Sequence, residues 1–432
     1  MLGEAATPAA EVDPRPRVLL LVNPTTYRAD AFLAAAGRLG LDVVQAHDLP
    51  DELAERWRGA LAVDFAQAET AAARIAAWAR RPDVRPPAAI VALDDSATLL
   101  AARAAARLGL PHNDPAAALA ARDKFVMRER LAAAGVPVPA YRRWPLAADP
   151  RAVAAASRFP VVVKPLRLSG SRGVIRADDA DCFVAAWERT KAMLLADGAD
   201  PAAGALLVER YLPGVEVALE GLLAGGELRT LAIFDKPDPL EGPFFEETIY
   251  VTPSRLPPAT QAAISACAAA AAAALGLREG PVHAELRIND EGVWPIELAG
   301  RSIGGLCSSV LEFGVGVSLE ELILRHAVGL PLPATERSGA AAGVMMIPIP
   351  RRGMLRGVSG VEDALAVPGV TGVEITAKLN QPLTPLPEGA SYLGFIFARA
   401  ATPAAAEAAL RDAHAQLRFR IDPMISLLQA PA

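Results

Sequence analysis

The stretch VVVKPLRLSGSRGV, residues 161–174, sets a lysine near the end of an apolar strand and follows it with a loop of serine, glycine and arginine. Burying a lone ammonium in such a strand costs on the order of several kcal/mol unless it meets an anion. The backbone amides of a small-residue loop are suited to a phosphate. The lysine precedes the glycines, so this is not a Walker A loop, which needs GxxxxGK[ST]. Lys124, in ARDKFVMRERL, stands near the start of a helical pattern. In VERYLPGVEVALEG, Glu209 and Glu216 flank a Pro-Gly turn, where strand backbone can pair with a purine and a following carboxylate with ribose hydroxyls.

Two more segments, PVHAELRIN and GVWPIELAGRSIGG, read as the arms of a hairpin carrying Glu285 and Glu297. Alternate residues of a strand share a face, so the two carboxylates can converge. Carboxylates that close repel unless a cation lies between them, and oxygen-only ligation suits Mg2+ completed by phosphate oxygens and water. Arg301, four residues beyond Glu297, can meet charge that develops in phosphoryl transfer or on a tetrahedral intermediate. The SIGG that follows it exposes further amides. Taken singly, each group also has a plain structural reading, as a snorkelling lysine, a solvated helix charge or an exposed edge carboxylate.

These groups need a framework. From 17 to 115, RVLLLVNP, GLDVVQAHD and PPAAIVALDD alternate with helical patterns, which predicts a doubly wound parallel sheet. From 116 to 335, one helix through ARDKFVMRERLAAAG precedes the hairpins LLAGGELR and RINDEGVW, an α+β pattern. From 336 to 432, AGVMMIPIPRRGML, a strand in PGVTGVEIT, a helix and LRFRI predict a small C-terminal α+β domain. Residues 1–16 read as a disordered arm without a signal-peptide core.

The 432 residues allow two to three domains. A net charge of −6 argues against a general nucleic-acid binder. The alanine run ISACAAAAAAALGL is too short and too weakly hydrophobic to span a bilayer, so no membrane partner is expected. Cys182, Cys267 and Cys307 show no metal spacing and read as buried free thiols of a cytoplasmic protein.

The order of these pieces, lysine on a helix, lysine before a Ser/Gly loop, ExYLxGxE, HxE, then ExxxR followed by GG, resembles the ATP-grasp superfamily over about Lys124 to Gly305. The resemblance implies an ATP-grasp fold, α/β and α+β and multidomain, with a lid subdomain at about 135–210. It implies that Lys124 and Lys164 hold ATP phosphates and that Ser169, Gly170, Ser171 and Gly173 belong to a mobile phosphate lid. Glu209, Tyr211 and Leu212 would match the adenine linker, Glu216 the ribose ligand, Glu285 and Glu297 the Mg2+ (or Mn2+) ligands, and Arg301 the catalytic arginine. Ala299 stands where many members have an asparagine ligand, which puts a second metal site in question.

ELAGRSIGG and the C-terminal region look like the L-amino acid ligases that form dipeptides, carnosine-synthase-like enzymes included. That similarity implies substrate contacts at Glu247, Ser302, Gly304 and Gly305, with Tyr250 where some members have histidine. The implied activity is ATP-dependent joining of a small-molecule carboxylate, an amino acid, to an amine through an acyl phosphate, releasing ADP and phosphate; a homodimer is compatible with it. The rival readings are a biotin-carboxylase-like enzyme that activates bicarbonate and a non-catalytic ATP-binding regulatory module.

Overall fold

The computed structural model describes residues 15–54, 56, 61–337 and 339–424, so 1–14 of the expected arm lie outside the described residues. The first sheet has four parallel strands in the order Leu61–Val63, Asp42–Asp48, Arg17–Val22, Ala89–Ala92. The central strand is apolar on both faces because both are covered. Val18, Leu20 and Val22 pack with Phe32, Ala35 and Ala36 of helix Ala29–Arg38, whereas Leu19 and Leu21 meet helices Ala68–Ala79 and Asp95–Leu108. This is the doubly wound arrangement that the sequence pattern predicts.

The single helix expected around Lys124 is two helices, Pro115–Arg122 and Lys124–Ala133. Asp123 interrupts them with extended backbone, and its carboxylate accepts from the amides of Phe125 at 3.1 Å and Val126 at 3.2 Å. The local cap therefore wins over helical continuation, and it makes Lys124 the first residue of a new helix.

A second sheet is antiparallel, in the order Tyr141–Pro145, Ala205–Arg210, Val161–Pro165, Ile175–Ala177. Helix Ala180–Ala196 covers one face through Phe183, Ala186 and Trp187, which pack on Val161, Val163 and Ile175. The largest sheet has eight antiparallel strands in the order Gly292–Ala299, Gly280–Asn289, Val215–Ala224, Glu227–Asp235, Ile249–Thr252, Ala341–Ile347, Gly394–Ala400, Val370–Ile375. Both hairpins read from the turn residues are here. The sheet also passes through position 336, since its last three strands come from the C-terminal region.

Helix Pro258–Leu275 reaches the length and mean hydropathy of a membrane-crossing segment, longer than the alanine run alone suggests. One stripe of it, Ile264, Ala268, Ala271, Ala272 and Leu275, is packed against Val217, Leu219, Val282 and Leu286 of the large sheet. All three cysteines are free, but only Cys307 is buried. Cys182 is exposed, contrary to expectation: it sits in the first turn of helix Ala180–Ala196, its amide held by the Asp179 carboxylate at 2.8 Å, on the face turned from the sheet.

Candidate active site

Glu285 and Glu297 lie directly opposite each other on Gly280–Asn289 and Gly292–Ala299, and a bulge follows immediately after Glu285. The pairing brings both carboxylates to the wall of a cleft of about 900 Å³ between the large sheet and the smaller antiparallel sheet. Lys124, Lys164, Ser169, Gly170 and Ser171 line the same cleft from the other side. Glu209, Tyr211, Leu212 and Glu216 form one end of it with Val162, Val174 and Phe245, and the Tyr211 and Phe245 rings stack at 6.4 Å. That end offers a flat apolar slot. Arg301 and Glu247 complete the wall where a second compartment, of about 1220 Å³, opens; Gly304 and Gly305 line that compartment.

Two residues of the expected set line neither space. Gly173 lies behind the loop, where a Cβ would collide with the Met193 methyl group and the Pro165 ring, so its task is close packing rather than ligand contact. Ser302 is buried, its hydroxyl engaged by the Arg28 guanidinium and its carbonyl accepting from Arg301 at 3.0 Å.

The lysine in the valine strand has a protein partner. Lys164 Nζ lies 2.6 Å from Glu209 Oε2, and Arg128 Nε donates to Glu209 Oε1 at 2.6 Å. Glu209 is only 2 % exposed. Burial alone would raise its pKa, but the two cations outweigh burial and hold it at about 2. The Glu209 side chain is thus committed to cations, and the linker it begins offers the slot its backbone and the Tyr211 ring. Lys124 Nζ donates to the Leu168 carbonyl at 2.7 Å and lies 3.2 Å from Glu297.

Three carboxylates, those of Glu216, Glu247 and Glu285, come within 4.8 Å of one another. Lys236 lies among them, 2.8 Å from Glu216, 3.6 Å from Glu285 and bonded to Glu247. Although burial opposes it, Lys236 and His283 hold the Glu285 pKa well below the ordinary carboxylate value. For Glu247 burial prevails and the pKa is raised; Tyr250 donates its hydroxyl to Glu247 Oε1 at 2.6 Å. Arg287 donates to Glu216 Oε2 at 2.8 Å and to the Leu212 carbonyl at 2.6 Å, tying the linker to the sheet.

His283 joins the two halves of the site. Its Nδ1 meets the fully buried Glu220, whose other oxygen accepts from the Ile303 amide at 3.0 Å, and its Nε2 lies 3.5 Å from Glu285. Burial would lower the imidazole pKa, but Glu220 overrides that and raises it to about 9. Arg301 donates to Asp95 Oδ2 at 2.7 Å, an ion pair between the large sheet and the N-terminal domain that raises the arginine's pKa despite burial.

The sequence reading missed Arg128, Lys236, Arg287, Asp95 and Arg28. For Arg287 the signal was present: it stands two residues after Glu285 on one strand, hence on the same face. Lys236 follows the buried strand end Phe234–Asp235, a place where a charge needs a partner. Arg28 lies just before helix Ala29–Arg38 and Asp95 begins helix Asp95–Leu108, both in another domain, and no local pattern points from them to residue 301 or 302.

Apart from Lys124 and Pro139, the residues that line the cleft fall within a segment that matches the model of the ATP-grasp domain, residues 157–310. Residues 33–112 match the ATP-grasp N-terminal domain, and 345–422 match L-amino acid ligase C-terminal domain 2. An uncharacterised protein of Sinorhizobium fredii is 26% identical over 429 residues, covering 99% of this chain and 87% of the relative. A D-alanine–D-alanine ligase of Synechococcus sp. (strain JA-2-3B'a(2-13)) is 30% identical over 237 residues, 50% of this chain and 67% of the relative. Among solved structures, the L-amino acid ligase from Bacillus licheniformis superposes with a TM-score of 0.77 at 24% identity, over 94% of this chain and 99% of that one. With its N-terminal domain, ATP-grasp domain and C-terminal segment all matched in order, the chain belongs to the ATP-grasp superfamily of ligases.

Proposed function

We propose that this protein is an ATP-dependent carboxylate–amine ligase that joins two amino acids, or an amino acid and another amine, through an acyl phosphate. The observation that carries the reading is the single cleft in which two lysines, two opposed glutamates and Arg301 converge, opening directly into a second compartment lined by Glu247, Gly304 and Gly305.

In this reading Lys124 and Lys164 bind the ATP phosphates with the amides of Ser169, Gly170 and Ser171, while the slot between Val162, Tyr211 and Phe245 receives the adenine and Glu216 meets the ribose. Glu285 and Glu297 suit a divalent ion: their donors are oxygens only, and their side chains are 21% and 29% exposed toward the cleft. A bound Mg2+ would neutralise phosphate oxygens there, and Mn2+ fits the same donors. Ala299 adds no third donor, and Lys236 already neutralises the neighbouring carboxylates, so one ion is what the residues present support.

The substrate carboxylate attacks the terminal phosphorus of ATP and ADP leaves; the amine then attacks the acyl carbon and phosphate leaves, with the amine's proton passing to solvent or a basic group. Arg301, anchored by Asp95, faces the oxygen that gains charge in both steps. Glu247 and Gly304–Gly305 hold the substrates in the second compartment. No nucleophilic side chain is required. Positioning and exclusion of water from the acyl phosphate supply the rate enhancement.

The test is a pairwise amino-acid and amine screen for phosphate release with mass measurement of products. An adduct of mass equal to the two substrates less water supports the reading. ADP release that depends on bicarbonate instead would favour the carboxylase class, and tight ATP binding with no turnover on any pair would favour a signalling module.

A further inference from the structure

The loop Ser169–Gly173 is held by a segment of the C-terminal region. The Gly173 amide donates to the Pro387 carbonyl at 2.9 Å, and Arg172 Nε donates to the Glu388 carbonyl at 2.7 Å. The Glu388 side chain reaches the lid helix Ala180–Ala196, taking both Nε and Nη2 of Arg189 at 2.6 and 3.0 Å. Gly389 makes the turn possible: any Cβ there would collide with the Thr384 carbonyl, whose close approach shapes the segment. Immediately beyond, Ala390 packs beside Gly170, and Ala390 and Tyr392 line the compartment proposed to hold the substrates.

We propose that Glu388 and Arg189 are positioning residues that latch the phosphate loop closed, and that segment 385–392 lets substrate in the second compartment favour that closure. The inference rests on the ATP-ligase reading of the cleft. A latch is useful to such an enzyme, because an acyl phosphate formed under an open loop is lost to water. The same short segment touches both the loop over the nucleotide and the wall around the second substrate, so one element senses both. The Arg189 and Glu388 side chains are 46% and 28% exposed, and a pair that exposed adds little to global stability. Its effect belongs to the loop's open–closed equilibrium rather than to folding.

The experiment compares the wild type, Glu388→Arg, Arg189→Glu and the double charge swap, with Mg2+ and the non-hydrolysable analogue AMP-PNP as the probe. Binding is followed by calorimetry and trypsin cleavage after Arg172 by mass. Each single reversal is expected to weaken AMP-PNP binding about fivefold and to remove the protection that the analogue gives Arg172, with the thermal midpoint unchanged. The swap restores both. Wild-type binding accompanied by single reversals that change neither readout, or by a swap no better than the singles, would overturn the latch alone. A wild type that binds no AMP-PNP would overturn the nucleotide reading and the latch with it.

Discussion

Glu285 and Glu297 face each other across one hairpin, yet each leans toward a different lysine: Glu297 lies 3.2 Å from Lys124 and Glu285 lies 3.6 Å from Lys236. In the proposed reading a divalent cation offsets the repulsion between the two carboxylates. Removing the charge of either glutamate should therefore spare the fold and impair the reaction. Glu285→Gln is expected to lower ADP release by about 100-fold or more while the far-ultraviolet circular dichroism is retained. Raising Mg2+ should recover part of the loss. Undiminished turnover would remove Glu285 from the metal set.

Arg128 carries a separate prediction. Its guanidinium is 1% exposed and shares Glu209 with Lys164. Arg128→Ala leaves a buried carboxylate with one partner, which destabilises by about 3–5 kcal/mol. Urea unfolding measures it. A loss below about 1 kcal/mol would mean that water or Lys164 replaces the guanidinium readily.

Acid should act through the same carboxylate. Glu209 has a folded-state pKa of about 2 against 4.5 for a free glutamate, so it contributes stability that is complete above about pH 4.5 and disappears as the pH falls toward 2. At about 1.4 kcal/mol per pH unit the contribution is about 3 kcal/mol. Glu209→Gln should accordingly be less stable than the wild type at pH 7, and the gap should close as the pH is lowered through that window. A gap that stays constant with pH would show that Glu209 is not held ionised by its neighbours.

Much of this site could be read before the fold was in view, and the reason is local. Glu285 and Glu297 are opposed because they belong to adjacent arms of a hairpin whose turn, RINDEGVW, is visible in sequence. Lys164 announced itself as a charge inside a valine strand. What stayed hidden depends on distance along the chain: Asp95 finds Arg301 across 206 positions, and Arg28 reaches Ser302 across 274. The partner of Lys164 was missed for a different reason. A buried ammonium demands an anion, and either a protein carboxylate or a ligand phosphate meets that demand; the strand does not say which.

The substrate end yields another expectation. Glu247 is bonded to Lys236 and Tyr250 at the junction of the two compartments. Tyr250→Phe removes a hydrogen bond to a charged group, on the order of 1.5–3 kcal/mol. The half-saturation of the amino-acid substrate should rise about tenfold or more, and that of ATP should change by less than about twofold. A rise confined to ATP would assign Glu247 to the nucleotide.

Hydroxylamine trapping tests the central claim most directly, because hydroxylamine intercepts an acyl phosphate without the natural amine. With a panel of amino acids, MgATP and hydroxylamine, the wild type should form a hydroxamate from at least one carboxylate in step with ADP, and Glu297→Gln should form none. ATP consumed without hydroxamate from any carboxylate of a broad panel, or no ATP consumed at all, would contradict the account.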